Sequence, residues 1–247
     1  PEPRRVTIRD YGGFAILVAI SLLNYMDQFT VSGVLTQIQD YFSIKNTESG
    51  LLKAVFIAFI AVCSPIFGFF GDRFNRKWNI VEGTSIWVAA VVASSIVQRN
   101  FFWVFVVLRG VAGVGQAAFA VICPSMIADM FPAQIRPKML MIFYLTIPFG
   151  CGLGFIAGAG VANALNDWRW GVRITAIFGV VCLLLLLMFV QEQPRGRMDI
   201  EDDEAVEAKR GSYAEDVKAL LKNATFVTST IGYTAGAFVI GTLSWSV

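Results

Sequence analysis

Residues 102–130 read FWVFVVLRGVAGVGQAAFAVICPSMIADM, an apolar run carrying one base, Arg109, one amide, Gln116, and an acid, Asp129, next to its end. About 20 mostly apolar residues suffice for a helix to cross the hydrocarbon core of a bilayer, so this stretch is predicted to span a membrane. An ionised side chain within that core costs several kcal/mol unless a cavity or a counter-charge receives it. Arg109, Gly113, Gln116 and Ala120 follow one another at helical spacing and share a face. That face must turn toward other helices, so the run predicts a bundle.

The rest of the chain supplies the other helices. Further spans are predicted over Gly13–Leu35, Gly50–Phe70, Trp78–Val97, Lys138–Ala164 and Trp170–Val190, with a seventh starting near Phe226. The expected organisation is a tail over 1–12, a six-helix membrane domain over 13–190, a solvated linker over 191–223 and a seventh helix over 224–247. The linker reading rests on Pro194 and the acidic run Asp199, Glu201, Asp202, Asp203, Glu204 and Glu207. Within it, Tyr213, Val217, Leu220 and Leu221 share a helical face suited to the membrane surface. The apolar run after the tail lacks a small-residue cleavage site and reads as a retained span rather than a signal peptide.

Composition agrees. Hydrophobic residues make up 56% of the 247, and charged residues only 15%, against roughly 25% in soluble domains. The net charge of +2 is too small for a nucleic-acid binder. There is no histidine, and Cys63, Cys123, Cys151 and Cys182 form no CxxC pair, so a His-based nucleophile or a Cys/His metal site is excluded. The chain is read as neither an enzyme nor a metal or cofactor protein; the one ion to consider is a coupling proton.

Basic residues set the expected orientation. With the N-terminus in the cytoplasm, the inner segments hold Arg4, Arg5, Arg9, Arg73, Arg76, Lys77, Arg136, Lys138, Arg195, Arg197, Lys209, Arg210, Lys218 and Lys222. The outer segments hold only Lys45, Lys53, Arg99, Arg169 and Arg173. This bias predicts a cytoplasmic tail and linker, and hence an even number of spans between them.

Three sets of residues stand out within that plan. Ser21, Asn24, Asp27 and Gln28 form a polar stripe on the first span. Asp27 is the candidate proton-coupling site and the intramembrane counter-charge for Arg109, while Asn24, Gln28 and Gln116 are candidate cavity-lining residues. A purely structural Asp27–Arg109 pair is the competing reading. On the fifth span, Gly150, Gly154 and Gly158 form a small-xxx-small ladder beside Pro148, the pattern of close helix packing or of a moving contact. After the second span, Gly68, Gly71, Asp72, Arg73, Arg76 and Lys77 combine a glycine-rich helix end with an acid and bases, and Asp129 and Arg136 are expected to complete a conformational gate there.

The segment Gly68–Lys77, the pair Arg109 and Gly113, and the glycine/proline fifth helix resemble the signatures of the major facilitator superfamily. Finer text resembles its Spinster transporters: Asn24-Tyr25-Met26-Asp27-Gln28-Phe29-Thr30, Pro65-Ile66-Phe67-Gly68, Tyr144-Leu145-Thr146-Ile147-Pro148, and Asp167-Trp168-Arg169-Trp170. The resemblance implies an all-α membrane fold: the N-terminal six-helix bundle of a twelve-helix transporter and the start of the second bundle. It also implies proton-linked or facilitated transport of lysophospholipid, sphingosine or sphingosine-1-phosphate, with membrane lipids and a second half, in cis or from a dimer partner, as its associates. Two positions depart from the family pattern: Gln28 stands where arginine is frequent, and Gln116 where glutamate is frequent. Transport of another small organic solute, or a transport-inactive adaptor or regulator, are the alternatives. Plasma membrane and endosome or lysosome remain open as locations.

Overall fold

A computed structural model describes residues 6–192 and 220–243, the last seven of these by backbone alone. The chain divides into two units, residues 1–200 and 201–247, and each is described by itself. Arg4, Arg5, the acidic run of the linker and most of the Tyr213–Leu221 segment lie outside the described residues.

The first unit is all helical: α1 (Ile8–Gly33), α2 (Leu35–Phe42), α3 (Asn46–Arg73), α4 (Arg76–Ser94), α5 (Phe102–Met130), α6 (Arg136–Leu165) and α7 (Trp168–Phe189). In the second unit α8 covers Ala224–Leu243. Helix α1 begins five residues before the expected Gly13. The Thr7 amide donates to the Asp10 carboxylate at 2.9 Å, a capping arrangement that satisfies a helix-end group and extends the helix into the predicted tail. At Val34 the backbone leaves helical geometry (φ −109°, ψ 16°), and the chain resumes as α2, which the sequence reading did not separate. Ser43 ends α2 in the left-handed region at φ 55°. Helices α3, α5 and α6 run unbroken through Pro65, Pro124 and Pro148.

Among the described residues, five helices are long and apolar enough to cross a membrane: α1, α3, α5, α6 and α7. The third expected span is a helix, Arg76–Ser94, but falls short of that apolar length. Asn79, Glu82, Thr84 and Ser85 dilute it, and its apolar residues Ile80, Trp87, Val88, Ala90 and Val91 are buried against protein rather than offered to lipid. The seventh expected span is helical from Ala224 and is also not among the five.

Packing runs in two parallel pairs. Gly110 meets Phe59 and Val55, Gly113 meets Phe56, and Gly68 and Gly71 meet Val121 and Ile122, so α3 and α5 advance together. Helices α1 and α6 do the same, through Ser21 with Thr146, Gly150 with Tyr25, Gly154 with Met26 and Gly158 with Thr30. Helix α7 runs against α1, with Thr175 opposite Asp27 and Val190 opposite Gly13. One apolar core, at the α2 end, gathers around Phe42, Phe105, Trp87 and Trp168. A second, at the opposite end, gathers around Phe119, Met126, Phe131 and Leu186.

Candidate functional site

Asp27 and Arg109 meet between these two cores. Arg109 donates through Nη1 to Oδ1 of Asp27 at 3.2 Å and through Nη2 to Oδ2 at 3.0 Å. Their side chains are 4% and 1% exposed for the base and the acid, so each charge depends on the other. Two further donors reach the carboxylate: Trp87 Nε1 to Oδ2 at 3.3 Å from α4, and from α7 the Thr175 hydroxyl, which stands 3.4 Å from Oδ1 and shares its one proton between that oxygen and the Val172 carbonyl at 2.7 Å. The Phe56 ring of α3 lies 5.6 Å from the guanidinium. Helices α1, α3, α4, α5 and α7 therefore converge on one charge pair. Trp87, Thr175 and Phe56 escaped the sequence reading, because a Trp, a Thr or a Phe in an apolar helix carries no mark of what it faces.

A half-enclosed cavity of about 30 Å³ lies beside Asn24 and Gln116, lined also by Ser21, Tyr25, Phe119, Ala120, Phe143 and Tyr144. That volume admits a water molecule. Asn24 donates its Nδ2 to the Ile20 carbonyl at 3.0 Å, which orients the amide and leaves Oδ1 without a protein donor. Gln116 Oε1 is buried and unpartnered as well. Two amide oxygens thus await a donor at the cavity. Gln28 is half-buried and is not among the residues lining it.

On α6 the expected face is real. A Cβ at Gly150 would stand 2.5 Å from Tyr25 Cβ, one at Gly158 2.8 Å from Thr30 Cγ2, and one at Gly154 would overlap the Met26 backbone. Thr30 donates to the Gly154 carbonyl at 3.2 Å across the same seam. Pro148 is exposed, so the ladder packs through the glycines. Gly152, about half a turn out of phase, has nothing within 4 Å.

The expected gate residues gather at the α1-start end. Arg76 pairs with Asp129 in a short ion pair and also donates to the Ser125 carbonyl at 3.4 Å, tying α4 to the end of α5. The Arg76 amide donates to Glu192 at 3.2 Å, and Lys77 Nζ to the Leu187 carbonyl of α7 at 3.2 Å. Gly68, Gly71, Asp72 and Arg76 line a cleft of about 200 Å³ with Val121, Ile122 and Ser125. Gly71 is required where it stands, since a Cβ would lie 2.9 Å from Ile122. Arg73 stacks 4.1 Å from the Phe69 ring centroid, and Arg136 donates to the Phe131 carbonyl at 3.4 Å. Arg73 is thus directed to its own helix, whereas Arg76 and Lys77 bridge helices.

The opposite end carries contacts that the sequence reading did not anticipate. Arg169 holds the Tyr41 hydroxyl and the Val97 carbonyl, and Gln37 donates to Asn163 at 2.9 Å. Asp167 caps α7 by accepting from the Arg169 amide at 3.0 Å.

The family model of the Major Facilitator Superfamily matches residues 17–247. Protein spinster homolog 1 of Xenopus tropicalis is 45% identical over 229 residues, 93% of this chain and 43% of that protein. Its human counterpart is 43% identical over 245 residues, covering 98% and 46%. Protein spinster of Drosophila melanogaster is 41% identical over 230 residues, covering 93% and 37%. The chain thus spans less than half the length of these relatives. Among solved structures, an inward-facing, unoccupied bacterial homolog to the human lysosomal transporter Spinster superposes with a TM-score of 0.70 at 22% identity, covering 84% of this chain and 48% of that one. The proton:xylose symporter XylE does so with 0.69 at 19%, covering 77% and 46%, and at these identities the likeness concerns the fold. A family match running almost end to end, on a bundle of parallel helix pairs around a buried charge pair, places this chain in the major facilitator superfamily, with the Spinster proteins as its homologues.

Proposed function

We propose that this chain forms the first half of a transporter of lipid-like amphiphiles, working by alternating access with a second six-helix half. The linker over 191–223 and the helix from Ala224 would lead into that half, and the Arg76–Asp129 end would face the cytoplasm. Lysophospholipid, sphingosine and sphingosine-1-phosphate are the proposed substrates, by analogy with the Spinster relatives. The observation that carries the reading is the buried Asp27–Arg109 pair, joined by donors from α4 and α7. A proton taken up by Asp27 cancels the charge that holds Arg109, and the freed guanidinium must find another partner. Such an exchange changes which helices the pair ties together, as coupling of a proton to a conformational switch requires.

The Arg76–Asp129 and Lys77–Leu187 contacts form the proposed gate at the cytoplasmic end. They stabilise the arrangement in which α4, α5 and α7 stay together there. The tests are flux of labelled lysophosphatidylcholine, sphingosine and sphingosine-1-phosphate into proteoliposomes at two pH values, with Asp27→Asn alongside. Flux of one of these that depends on pH and loses that dependence in Asp27→Asn supports the reading. Unchanged pH dependence in the variant overturns the proton role, and no flux of any amphiphile overturns the substrate class.

A second reading, facilitated transport without a proton, is favoured by Gln116. An amide at that cavity exchanges hydrogen bonds but carries no proton as a carboxyl group does. Amphiphile flux that is equal at both pH values would support it.

A further inference from the structure

Helices α4 and α7 run antiparallel and in contact. Trp87 of α4 covers Gly179 of α7, and Ser95, at the end of α4, meets Arg173 of α7. On the inward side of α7, Val172, Thr175 and Gly179 are buried, and Thr175 reaches Asp27. Arg173, Ile177 and Val180 share another face of the helix, roughly a third of a turn away. With Val92 and Ile96 of α4 and with Trp170, they line an open groove of about 370 Å³. Its large apolar residues are exposed, and Val180 lies about 10 Å farther along α7 than Arg173. The groove is therefore distinct from the Asp27–Arg109 centre.

Arg173 is the charged side chain of that lining. Its Nε donates to the Ser95 hydroxyl at 3.3 Å and its Nη2 to the Ser95 carbonyl at 3.4 Å. These bonds serve the end of α4, where carbonyls lack helical partners and a cation suits the helix dipole. They leave Nη1 and the second hydrogen of Nη2 without an acceptor. Among the described residues, no carboxylate pairs with Arg173. Asp167, before the start of α7, accepts from the Arg169 amide. Glu82, the acid of α4, stands about 20 Å along that helix from Ser95. The Trp170 ring centroid lies 5.3 Å from the guanidinium, which supports the cation without neutralising it. A permanently charged group in an apolar groove of a membrane-spanning helix thus lacks a counter-ion.

Depth along the helix points to the missing anion. Arg173 is the sixth residue of α7, about 8 Å from its start. Trp170 beside it and Trp103 at the start of α5 are exposed at the same end, and such tryptophans mark the head-group level of a bilayer. We propose that the α4–α7 groove binds an anionic glycerophospholipid of the leaflet at the α2 end. Its phosphate lies on Arg173, and an acyl chain follows Ile96, Ile177 and Val180. The remaining hydrogens on Nη1 and Nη2 can hold two phosphate oxygens as a fork. The lipid supplies the charge that the protein lacks and ties α4 to α7. This site holds a resident membrane lipid and does not depend on which substrate is transported.

Photolabelling tests the proposal. The complete product of the reading frame carrying this chain is freed of bound lipid in dodecyl maltoside micelles. Phosphatidylglycerol, phosphatidylcholine and diacylglycerol, each with a diazirine on one acyl chain, are the three probes, at one subsaturating mole fraction. Peptide mass spectrometry after irradiation reads the adducts on Ile96, Ile177 and Val180. Diacylglycerol, which lacks the phosphate, reports non-specific contact at the same residues. Phosphatidylglycerol is expected to label them at least about tenfold more strongly, as a charge-assisted phosphate contact requires. Phosphatidylcholine falls between the two. The excess is lost in Arg173→Gln, whose amide can still donate to Ser95, and is largely kept in Arg173→Lys.

Equal labelling by phosphatidylglycerol and diacylglycerol would reduce the groove to ordinary lipid contact and overturn the site. An excess that survives in Arg173→Gln overturns the role of Arg173. Equal labelling by phosphatidylcholine and phosphatidylglycerol overturns the anionic assignment. If millimolar inorganic phosphate abolishes the excess as fully as unlabelled phosphatidylglycerol does, the groove is a free-anion site and the proposal fails. No adducts from any probe would mean that protein covers the groove, which overturns it too. Unchanged diacylglycerol labelling and melting temperature in the variants separate lost recognition from misfolding. The comparison of probes on the native protein decides the matter even where Arg173→Gln melts early.

Discussion

Arg109 grips Asp27 with both terminal nitrogens, at 3.2 and 3.0 Å from separate carboxylate oxygens, and almost nothing of either side chain is exposed. A pair so buried contributes little net stability against an apolar replacement, because both ions lost their hydration. Removing one partner is different, since it strands the other charge. Asp27→Leu or Arg109→Leu is therefore expected to cost about 3–5 kcal/mol, while the double replacement costs much less than the sum. Thermal unfolding of the four proteins in detergent measures this cycle. Additive losses would mean that the two charges do not depend on one another.

Trp87 is fully buried, donates to Asp27 at 3.3 Å and covers Gly179 with its ring edge. Trp87→Phe keeps most of the ring and deletes the donor, so a loss of about 1–3 kcal/mol is expected. Trp87→Ala also opens a cavity, and about 3–5 kcal/mol is expected. If the donor matters through Asp27, the Phe variant loses nothing further in an Asp27→Leu background. An equal loss in both backgrounds would assign the effect to packing alone.

Much of this arrangement was legible in the sequence, for an identifiable reason. The rule that an apolar run long enough to cross a bilayer forms a helix placed α5 at Phe102–Met130, where the structure has it, and α6 and α7 within two residues. The same energetic argument paired Asp27 with Arg109, since a charge in an apolar helix requires an opposite one. It could not find Trp87 or Thr175, whose polar atoms cost little to bury and so leave no anomaly in the sequence. Helix α2 escaped because eight residues are too few to establish a helical period, whereas α4 was legible as a helix but not as one whose apolar residues Ile80, Trp87 and Val91 face protein.

The glycines of α6 offer a control within one helix. A Cβ at Gly154 would overlap the Met26 backbone, whereas one at Gly152 meets nothing within 4 Å. Gly154→Ala is expected to force α1 and α6 apart and to cost about 1–3 kcal/mol. Gly152→Ala is expected to be neutral or to stabilise the helix by up to about 1 kcal/mol. Melting temperatures of the two variants check this, and equal losses at both sites would count against the tight α1–α6 seam.

At the α1-start end, Arg76 and Asp129 tie α4 to α5 while Lys77 ties α4 to α7. Reversing one charge, as in Arg76→Glu, places two acids together and should loosen this end. Exchanging both, Arg76→Asp with Asp129→Arg, should restore part of the contact. Maleimide labelling of a cysteine introduced at Ser125, which lines the adjoining cleft, reads the change: faster in Arg76→Glu and slowed again in the exchange. Labelling that is faster in the exchange than in the single variant would exclude a gate held by this pair.

Gln116 faces a cavity large enough for water, with the Asn24 oxygen also awaiting a donor. A protonated carboxylic acid would be a better neighbour for Asn24 than an amide oxygen, because its O–H can donate. Gln116→Glu should therefore fold well when that carboxyl is protonated and destabilise the bundle as pH rises and the buried group ionises, since no base in the cavity lining receives it. The variant's melting temperature should fall with increasing pH relative to Gln116, and amphiphile flux should become more dependent on pH. Identical pH dependence of both proteins would mean that the cavity is wet enough to hydrate a carboxylate, and that Gln116 contributes neither to stability nor to coupling through its lack of charge.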